Sequence, residues 1–453
     1  MPHQITILDV LECCCDPALA SMIKTELSYP VVFYQQGQFR KIRKEYEKST
    51  MSKGDGRYFF WTGHIPRVLK YCKHRNIPIE IAGEQEVMEH GEPKLNTLSL
   101  REEQLRLVRA ALRRQRGVLI APTGTGKTAM AIAVISAYLR KHIKVLWLCH
   151  TKDLMYQAGG VAERELGIKV SYFGDGKKDT ESQVTMATRQ SFINIRETGW
   201  EYDLVIVDEC HHLAKFEGQY PDILKHVTAP VRIGLTATMP KTKEAELAIE
   251  AFIGPVIAQV TIEEGQRRGS MAEINIKFLK VPLSPQIRDL KKYADVYEAG
   301  VVKRRTQHQL VIAKAKEHIE KGESVLILVT RIEHGEWLLA QAKEQEVRAF
   351  FAKGATEGNV RKELKDALNN KDIHCLIATT IFREGIDIPE LNVIINAAGG
   401  KSEIATLQAI GRGLRVTDNK KILTLWDILY LDHPYLVSHL AERLAIYSEM
   451  GWL

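Results

Sequence analysis

Between residues 117 and 396 the chain alternates short, unbroken apolar runs with longer stretches in which apolar positions recur at helical spacing. The runs lie at 117–121, 145–149, 184–187, 204–207 and 233–235, then, after an interval at 254–322, at 325–329, 375–378 and 393–396. Such runs predict strands buried on both faces, the habit of parallel sheets covered by helices. Their alternation with helical stretches predicts βαβ units. Two series therefore predict two parallel-sheet α/β domains in tandem. No fixed-period repeat or low-complexity tract breaks the pattern.

Ahead of the first series, an aromatic strand at 58–61 and a following helix predict a small α/β module. The polar stretch 82–98, with Gly83, Gly91 and Pro93, reads as a linker. The expected division is 1–90 for the module, 91–258 for the first α/β domain and 259–453 for the second. Charge singles out the module. The net charge of the whole chain is +7, yet residues 31–75 alone carry eleven Lys/Arg, Arg67 among them, against three carboxylates. Phe33, Tyr34, Phe39, Tyr46, Tyr58, Phe59, Phe60, Trp61 and Tyr71 interleave with those bases. Lysine and arginine neutralise phosphates, and aromatic rings stack on unpaired bases, so the module is expected to touch nucleic acid. A solvated basic face over an aromatic core is the plainer alternative.

Composition narrows the rest. With 45% apolar and 26% charged residues, the chain is that of an ordinary globular protein. No apolar run approaches the ~18 residues of a spanning helix, and the N-terminus lacks the basic and apolar regions of a secretory signal. A soluble, cytoplasmic protein without a membrane partner is expected. Seven scattered cysteines form no CxxC pair, which speaks against a disulfide framework or a zinc site. His150, His211 and His212 are accordingly not expected to bind zinc.

Two motifs carry chemistry. Ala121-Pro122-Thr123-Gly124-Thr125-Gly126-Lys127-Thr128 follows an apolar strand and opens a helical run, the context a phosphate loop requires. Gly124 and Gly126 let backbone amides turn inward around phosphate oxygens, helped by the helix N-terminus. Lys127 is placed for the β- and γ-phosphates, and the Thr128 hydroxyl for magnesium. The second motif, Asp208-Glu209-Cys210-His211, ends the run 204–207, where α/β sheets present their ligands. Asp208 is the expected magnesium ligand and Glu209 the group that orients and deprotonates water.

Together these motifs resemble the superfamily 2 helicases and translocases of the DExH type. Colinear motifs from about residue 100 to 415 support the likeness. Leu100-Arg101-Glu102-Glu103-Gln104 resembles the element whose glutamine reads adenine. Cys149-His150-Thr151-Lys152 and Thr188-Arg189-Gln190 resemble strand-contacting motifs, and Thr236-Ala237-Thr238 the motif that couples hydrolysis to strand movement. In the second domain Arg331, the stretch Thr379-Thr380 through Gly385 and Asp387, and Gln408 through Arg412 and Arg415 resemble the later motifs. The resemblance implies two RecA-like domains, with ATP and magnesium between them. It makes Arg415 the arginine finger, Arg412 a γ-phosphate contact and Gln408 a partner for His211. Gln104, residues 122–128, Gly385 and Asp387 would bind nucleotide. His150, Thr151, Lys152, Thr188, Arg189, Gln190, Arg331, Thr379 and Thr380 would bind nucleic acid.

Within that superfamily the chain looks most like the phage UvsW-type helicases, which act on branched DNA. The stretches 331–336 and 401–415 and the module's Lys53-Gly54-Asp55-Gly56-Arg57 carry this likeness. It implies a DNA partner and a phage-infected bacterial cytoplasm. An RNA helicase of the same fold and the motor of a restriction system are the competing readings.

Overall fold

Every apolar run named above is a strand in the computed structural model. The structure describes residues 2–36, 41–139, 142–193, 201–353, 356, 358–379, 388–400, 416–417, 420–449 and 452–453. By their contacts these form two compact units. One comprises Met1–Ala121 and Gly126–Gln259, the other Pro122–Thr125 and Val260–Leu453.

The N-terminal module contains β1 (His3–Ile7), β2 (Glu12–Cys15), α1 (Pro17–Ile23), β3 (Ser28–Gln36), β4 (Lys41–Ser49), β5 (Ser52–Gly54), β6 (Arg57–Trp61), α2 (Ile65–His74) and β7 (Ile79–Ala82). The Asp16 carboxylate accepts from the Leu19 amide and Pro17 fills the first turn, so α1 starts where local chemistry dictates. The sheet runs β5-β6-β2-β1-β7, and β3 and β4 pair separately as a two-stranded ribbon. Cys13 and Cys15 pack with Leu19, Ile23 and Val68 in the module's core.

The first α/β sheet is built from β8 (Arg116–Ile120), β9 (Val145–Cys149), β10 (Ser171–Gly174), β11 (Lys177–Lys178), β12 (Val184–Thr188), β13 (Leu204–Val207), β14 (Val231–Thr236) and β15 (Val256–Gln259). Its order is β11-β10-β12-β9-β13-β14-β8-β15. All neighbours are parallel except the short β10–β11 pair. Its helices are α3 (Glu102–Arg114), α4 (Lys127–Tyr138), α5 (Lys152–Leu166), α6 (Arg189–Phe192), α7 (Gln219–Leu224) and α8 (Lys243–Phe252).

The second unit holds α9 (Ile262–Arg267), β16 (Glu273–Lys280), α10 (Tyr293–Tyr297), α11 (Arg305–Ile319), β17 (Val325–Val329), α12 (Ile332–Glu344), β18 (Ala349–Ala352), α13 (Gly358–Asn369), β19 (Cys375–Thr379), β20 (Val393–Asn396), β21 (Ile422–Leu429) and α14 (Pro434–Glu449). Its sheet, β16-β21-β20-β17-β19-β18, is parallel throughout. Arg443 of α14 clamps Asp427 of β21 at 2.7 Å, both fully buried, and the Tyr447 hydroxyl donates to the same carboxylate.

The module is not set apart from the first α/β sheet. Its turn 62–64 and α2 seat on α8. A Cβ on Gly63 would lie 1.9 Å from the Glu250 carbonyl, so only glycine permits this approach. His64 donates from Nε2 to the Leu247 carbonyl at 2.9 Å, and Trp61 packs on Phe252 at 4.7 Å. Arg67, counted among the module's bases, is bound to Glu246 and Glu250 of α8 instead of facing solvent. Arg116 at the start of β8 donates to the carbonyls of Val10, Ala251 and Ile253, binding module, strand and helix together.

Nor is 82–98 a free linker. It is irregular because of its glycines, proline and polar residues, but it is strapped along the first sheet's helices. Met88 exchanges two hydrogen bonds with Gln115, Gly91 donates to Ala137, and Lys94 donates to Ser136. Its last anchor is the buried carboxylate of Glu165 in α5, which accepts from the Thr97 hydroxyl and the Thr97 and Leu98 amides. Those bonds, the Thr97 hydroxyl first, hold its carboxyl down at about 2. A depressed carboxylate contributes stability above its free value of 4.5, and the contribution is lost as pH falls through about 2. The protection factors of the Thr97 and Leu98 amides, corrected for intrinsic exchange at each pH, are therefore expected to fall below pH 4.5, and Glu165→Ala to lower them already at pH 7.

Candidate active site

The phosphate loop follows β8 directly. The Ala121 amide donates to Thr236 at the end of β14, tying the loop's start to the sheet. Within the loop Thr125 donates from both hydroxyl and amide to the Pro122 carbonyl, closing a tight turn. Gly124 and Gly126 adopt φ +85° and +84°, values that disfavour a side chain. A Cβ on Gly126 would also stand 2.5 Å from Nε2 of Gln104. Gln104 caps α3 by accepting from the Arg101 amide at 2.7 Å, and its amide group thereby rests against the loop. Lys127 opens α4, which is buried nearly all round from Met130 to Tyr138. Its ammonium sits 3.2 Å from the Ala121 carbonyl and 3.8 Å from Glu209.

The carboxylate pair comes from β13, a strand flanked on both sides by β9 and β14. Four fully buried apolar residues deliver Asp208 to the sheet's C-terminal edge, where its amide donates to Leu148. Glu209 then turns into the left-handed region at φ 48°. Burial, reinforced by Glu209, pushes the Asp208 carboxyl up. Burial acts the same way on Glu209 but is outweighed by Lys127 and His211, which hold its carboxyl low. The negative charge of the pair is thus concentrated on Glu209.

His211 links this pair to β14. Its Nδ1 lies 3.0 Å from the Thr236 hydroxyl and 3.3 Å from Glu209. Thr236 donates onward to the Thr238 carbonyl, so Nδ1 of His211 is the donor to Thr236. Nε2 of His211 is buried without a hydrogen-bond partner among the described residues. Gln408, the expected partner, lies outside the described residues, as do Thr380, Gly385, Asp387, Arg412 and Arg415.

Most of the described residues expected to touch nucleic acid are engaged within the protein. His150 stacks on His212 at 3.8 Å and 9°. Burial lowers His150 to about 4 and His212 to about 3, so both rings are neutral and His150 carries no charge for a phosphate. Thr151 caps α5, and Lys152 pairs with Asp175 at 3.2 Å. Thr188 is buried and hydrogen-bonds Ser191, Arg189 lies over the Tyr220 ring, and Gln190 is exposed. In the second unit Arg331 lies over Tyr297 at 5.2 Å, and Thr379 ends β19 with a buried hydroxyl that has no partner among the described residues. The His211–Thr236 link and the Tyr220 support of Arg189 have no signature in sequence spacing.

Two family models match the chain. The model described as "Type III restriction enzyme, res subunit" matches residues 97–241, and "Helicase conserved C-terminal domain" matches 303–417. Together they span over half the chain, covering β8 to β14 of the first α/β sheet and β17 to β20 of the second.

The chain belongs to the superfamily 2 helicases.

Relatives agree with that placement. This helicase is 26% identical over 72% of its length to "DNA 3'-5' translocase XPB2" of Sulfurisphaera tokodaii, covering 81% of that protein. It is 24% identical over 74% of its length to "ATP-dependent DNA helicase uvsW" of Enterobacteria phage T4, covering 72% of it. A helicase-named protein of a Sulfolobus islandicus filamentous virus matches at 25% identity over 72% of this chain but only 63% of its own length. In fold, the helicase is similar to Saccharomyces cerevisiae Dbp5 bound to RNA and ADP BeF3, with a TM-score of 0.56 and 14% identity, covering 78% of this chain and 88% of that one. No helix among the described residues is long and apolar enough to cross a membrane.

Proposed function

We propose that this helicase is an ATP-driven DNA motor that unwinds or branch-migrates forked and junction DNA. The observation that carries the ATPase reading is the convergence of Lys127, Asp208 and Glu209, with Gln104 lying against Gly126 of the phosphate loop. The side-chain-free cradle at Gly126 and the oxygen-rich, buried end of β13 suit a triphosphate with magnesium. Thr128 and Asp208 would hold that ion, which when bound neutralises phosphate oxygens as a Lewis acid.

In this reading the amides of 122–128 bind phosphate and Gln104 recognises adenine. Lys127 leaves the Ala121 carbonyl and Glu209 to meet the β- and γ-phosphates. Freed of that cation, Glu209 orients water and takes its proton, while His211 holds the Glu209 side chain and relays its position to Thr236. Arg412 and Arg415 supply positive charge to the γ-phosphate as it leaves, with Gly385 and Asp387 as further nucleotide contacts and Gln408 as partner of His211. Thr151, Lys152, Thr188, Arg189, Gln190, Arg331, Thr379 and Thr380 bind the strand, with Lys152 released from Asp175 on contact. Neutral His150 contributes packing or a hydrogen bond rather than charge. We assign 1–90 to the accessory nucleic-acid module, 91–258 to the ATP-binding domain and 259–453 to the second motor domain.

The names of the S. tokodaii and phage T4 relatives support DNA over RNA. The test is the magnesium-dependent ATPase rate with no nucleic acid, single-stranded DNA, duplex, fork, four-way junction and RNA. A maximum with forks or junctions is expected. Equal stimulation by RNA would replace the DNA reading with an RNA one. The res-subunit description of the first family model favours one second reading, a restriction motor; magnesium-dependent cutting of plasmid by the pure chain would establish it.

A further inference from the structure

The β3–β4 ribbon segregates its chemistry by face. Tyr29, Val31 and Phe33 stand directly opposite Lys48, Tyr46 and Lys44. Opposed residues share a face and successive residues alternate, so these six occupy one side. That side carries no carboxylate. Glu45 and Glu47 fall on the other, where Arg43 pairs with Glu45 at 3.0 Å.

The root of the basic face is fixed. Tyr29 is buried and stacks on Phe216 at 5.8 Å, and Lys48 lies 3.8 Å from Glu217. Phe33 is four residues further out, about 13 Å along the strand. There Phe33 and Tyr46 meet edge to face at 5.9 Å while remaining 42% and 51% exposed. Lys44, beside Phe33, is exposed and has no carboxylate partner among the described residues. An isolated two-stranded ribbon gains little stability from two exposed rings. Exposed aromatics next to an unpaired cation and away from acids match the chemistry of unpaired nucleotides, with rings for the bases and an ammonium for the phosphate.

We propose that the Phe33–Tyr46–Lys44 face of the ribbon is a stacking platform for single-stranded DNA. The choice of DNA rests on the function proposed above. The platform narrows the module's contact to one face, since Arg67 is committed to α8 and Lys48 to the ribbon's root.

The test uses the full chain and a fluorescein-labelled dT20, its RNA counterpart and a blunt duplex, read by anisotropy. A second oligonucleotide carries 2-aminopurine, whose fluorescence falls when it stacks. Phe33→Ala/Tyr46→Ala is expected to weaken dT20 binding roughly tenfold per ring, abolish the 2-aminopurine quench and leave duplex binding unchanged. Phe33→Trp/Tyr46→Trp is expected to retain both signals, and Lys44→Gln to weaken binding while keeping the quench. Unchanged melting temperatures verify folding. Wild-type affinity or quenching in the double alanine variant would overturn the proposal, as would an equal loss on duplex or a loss confined to RNA. Because anisotropy needs no ATP, a wild-type protein whose ATPase ignores DNA would defeat the motor reading and leave the platform result separately readable.

Discussion

Lys127→Ala is expected to lower ATP turnover by about 10²–10³-fold or more, together with loss of nucleotide affinity. Glu209→Gln is expected to cost about 10²–10⁴-fold in turnover while nucleotide binding survives. The split follows from geometry. Lys127 lies 3.8 Å from Glu209 at the first turn of α4, where in the proposed function its cation would serve bound phosphate in ground and transition states alike. Glu209 instead carries the low-lying carboxylate of the pair, held so by Lys127 and His211, and in the proposed function it would be needed only when water is deprotonated. Fluorescent-nucleotide binding beside steady-state phosphate release reads both quantities. A Glu209→Gln protein that turns over at the wild-type rate would remove Glu209 as the base. One that loses nucleotide binding as completely as Lys127→Ala would mean the carboxylate acts in holding the nucleotide.

The second large effect concerns the seat of the N-terminal module. Gly63→Val is expected to unseat it, because even a Cβ would stand 1.9 Å from the Glu250 carbonyl and 2.8 Å from that of Ala251, backbone atoms of α8 that cannot swing aside. Arg67→Ala is expected to cost roughly 3 kcal/mol, near the low end for a broken buried pair because Glu246 is half exposed. It would leave Glu250, whose carboxylate is largely buried, without its cation. His64 adds a pH dependence. Burial lowers it from 6.5 to about 4, and its Nε2 already donates to Leu247, so protonation gains no partner at the interface. The docked state is therefore at full strength above pH 6.5 and weakens as pH falls toward 4. Limited proteolysis across pH 4.5–7.5, read as release of a fragment of about 90 residues, checks all three expectations. Wild-type resistance in Gly63→Val would show that the seat is not what holds the module.

Much of the motor was legible because its signals are local. Runs such as 204–207 and 325–329 are buried on both faces and announce parallel strands within a few residues, and Gly124, Gly126 and Lys127 are contiguous. Edge strands escaped that reading. In β16, Glu273–Lys280, exposed and half-buried positions alternate because only one face is covered, and its polar residues hide it inside the interval 254–322. The composition of 82–98 forbids regular structure and so reads as a linker, but composition does not reveal that Glu165 and Gln115 hold it down.

The amino-acid sequence alone determined the two parallel sheets, the phosphate loop, the carboxylate pair and the excess of positive charge before residue 76. Each is a property of near neighbours, set by hydrophobic run length or by contiguous residues that must share one turn. Tertiary structure decided the partners: Gln104 against Gly126, His211 on Thr236, His150 neutral on His212, Arg67 on α8, and Phe33 with Tyr46 on the acid-free side of a ribbon. Those pairings join residues from 13 to 183 positions apart. Periodicity specifies which side of an element is buried, but burial against a given partner depends on how the elements stack, and that is settled only when the whole chain packs.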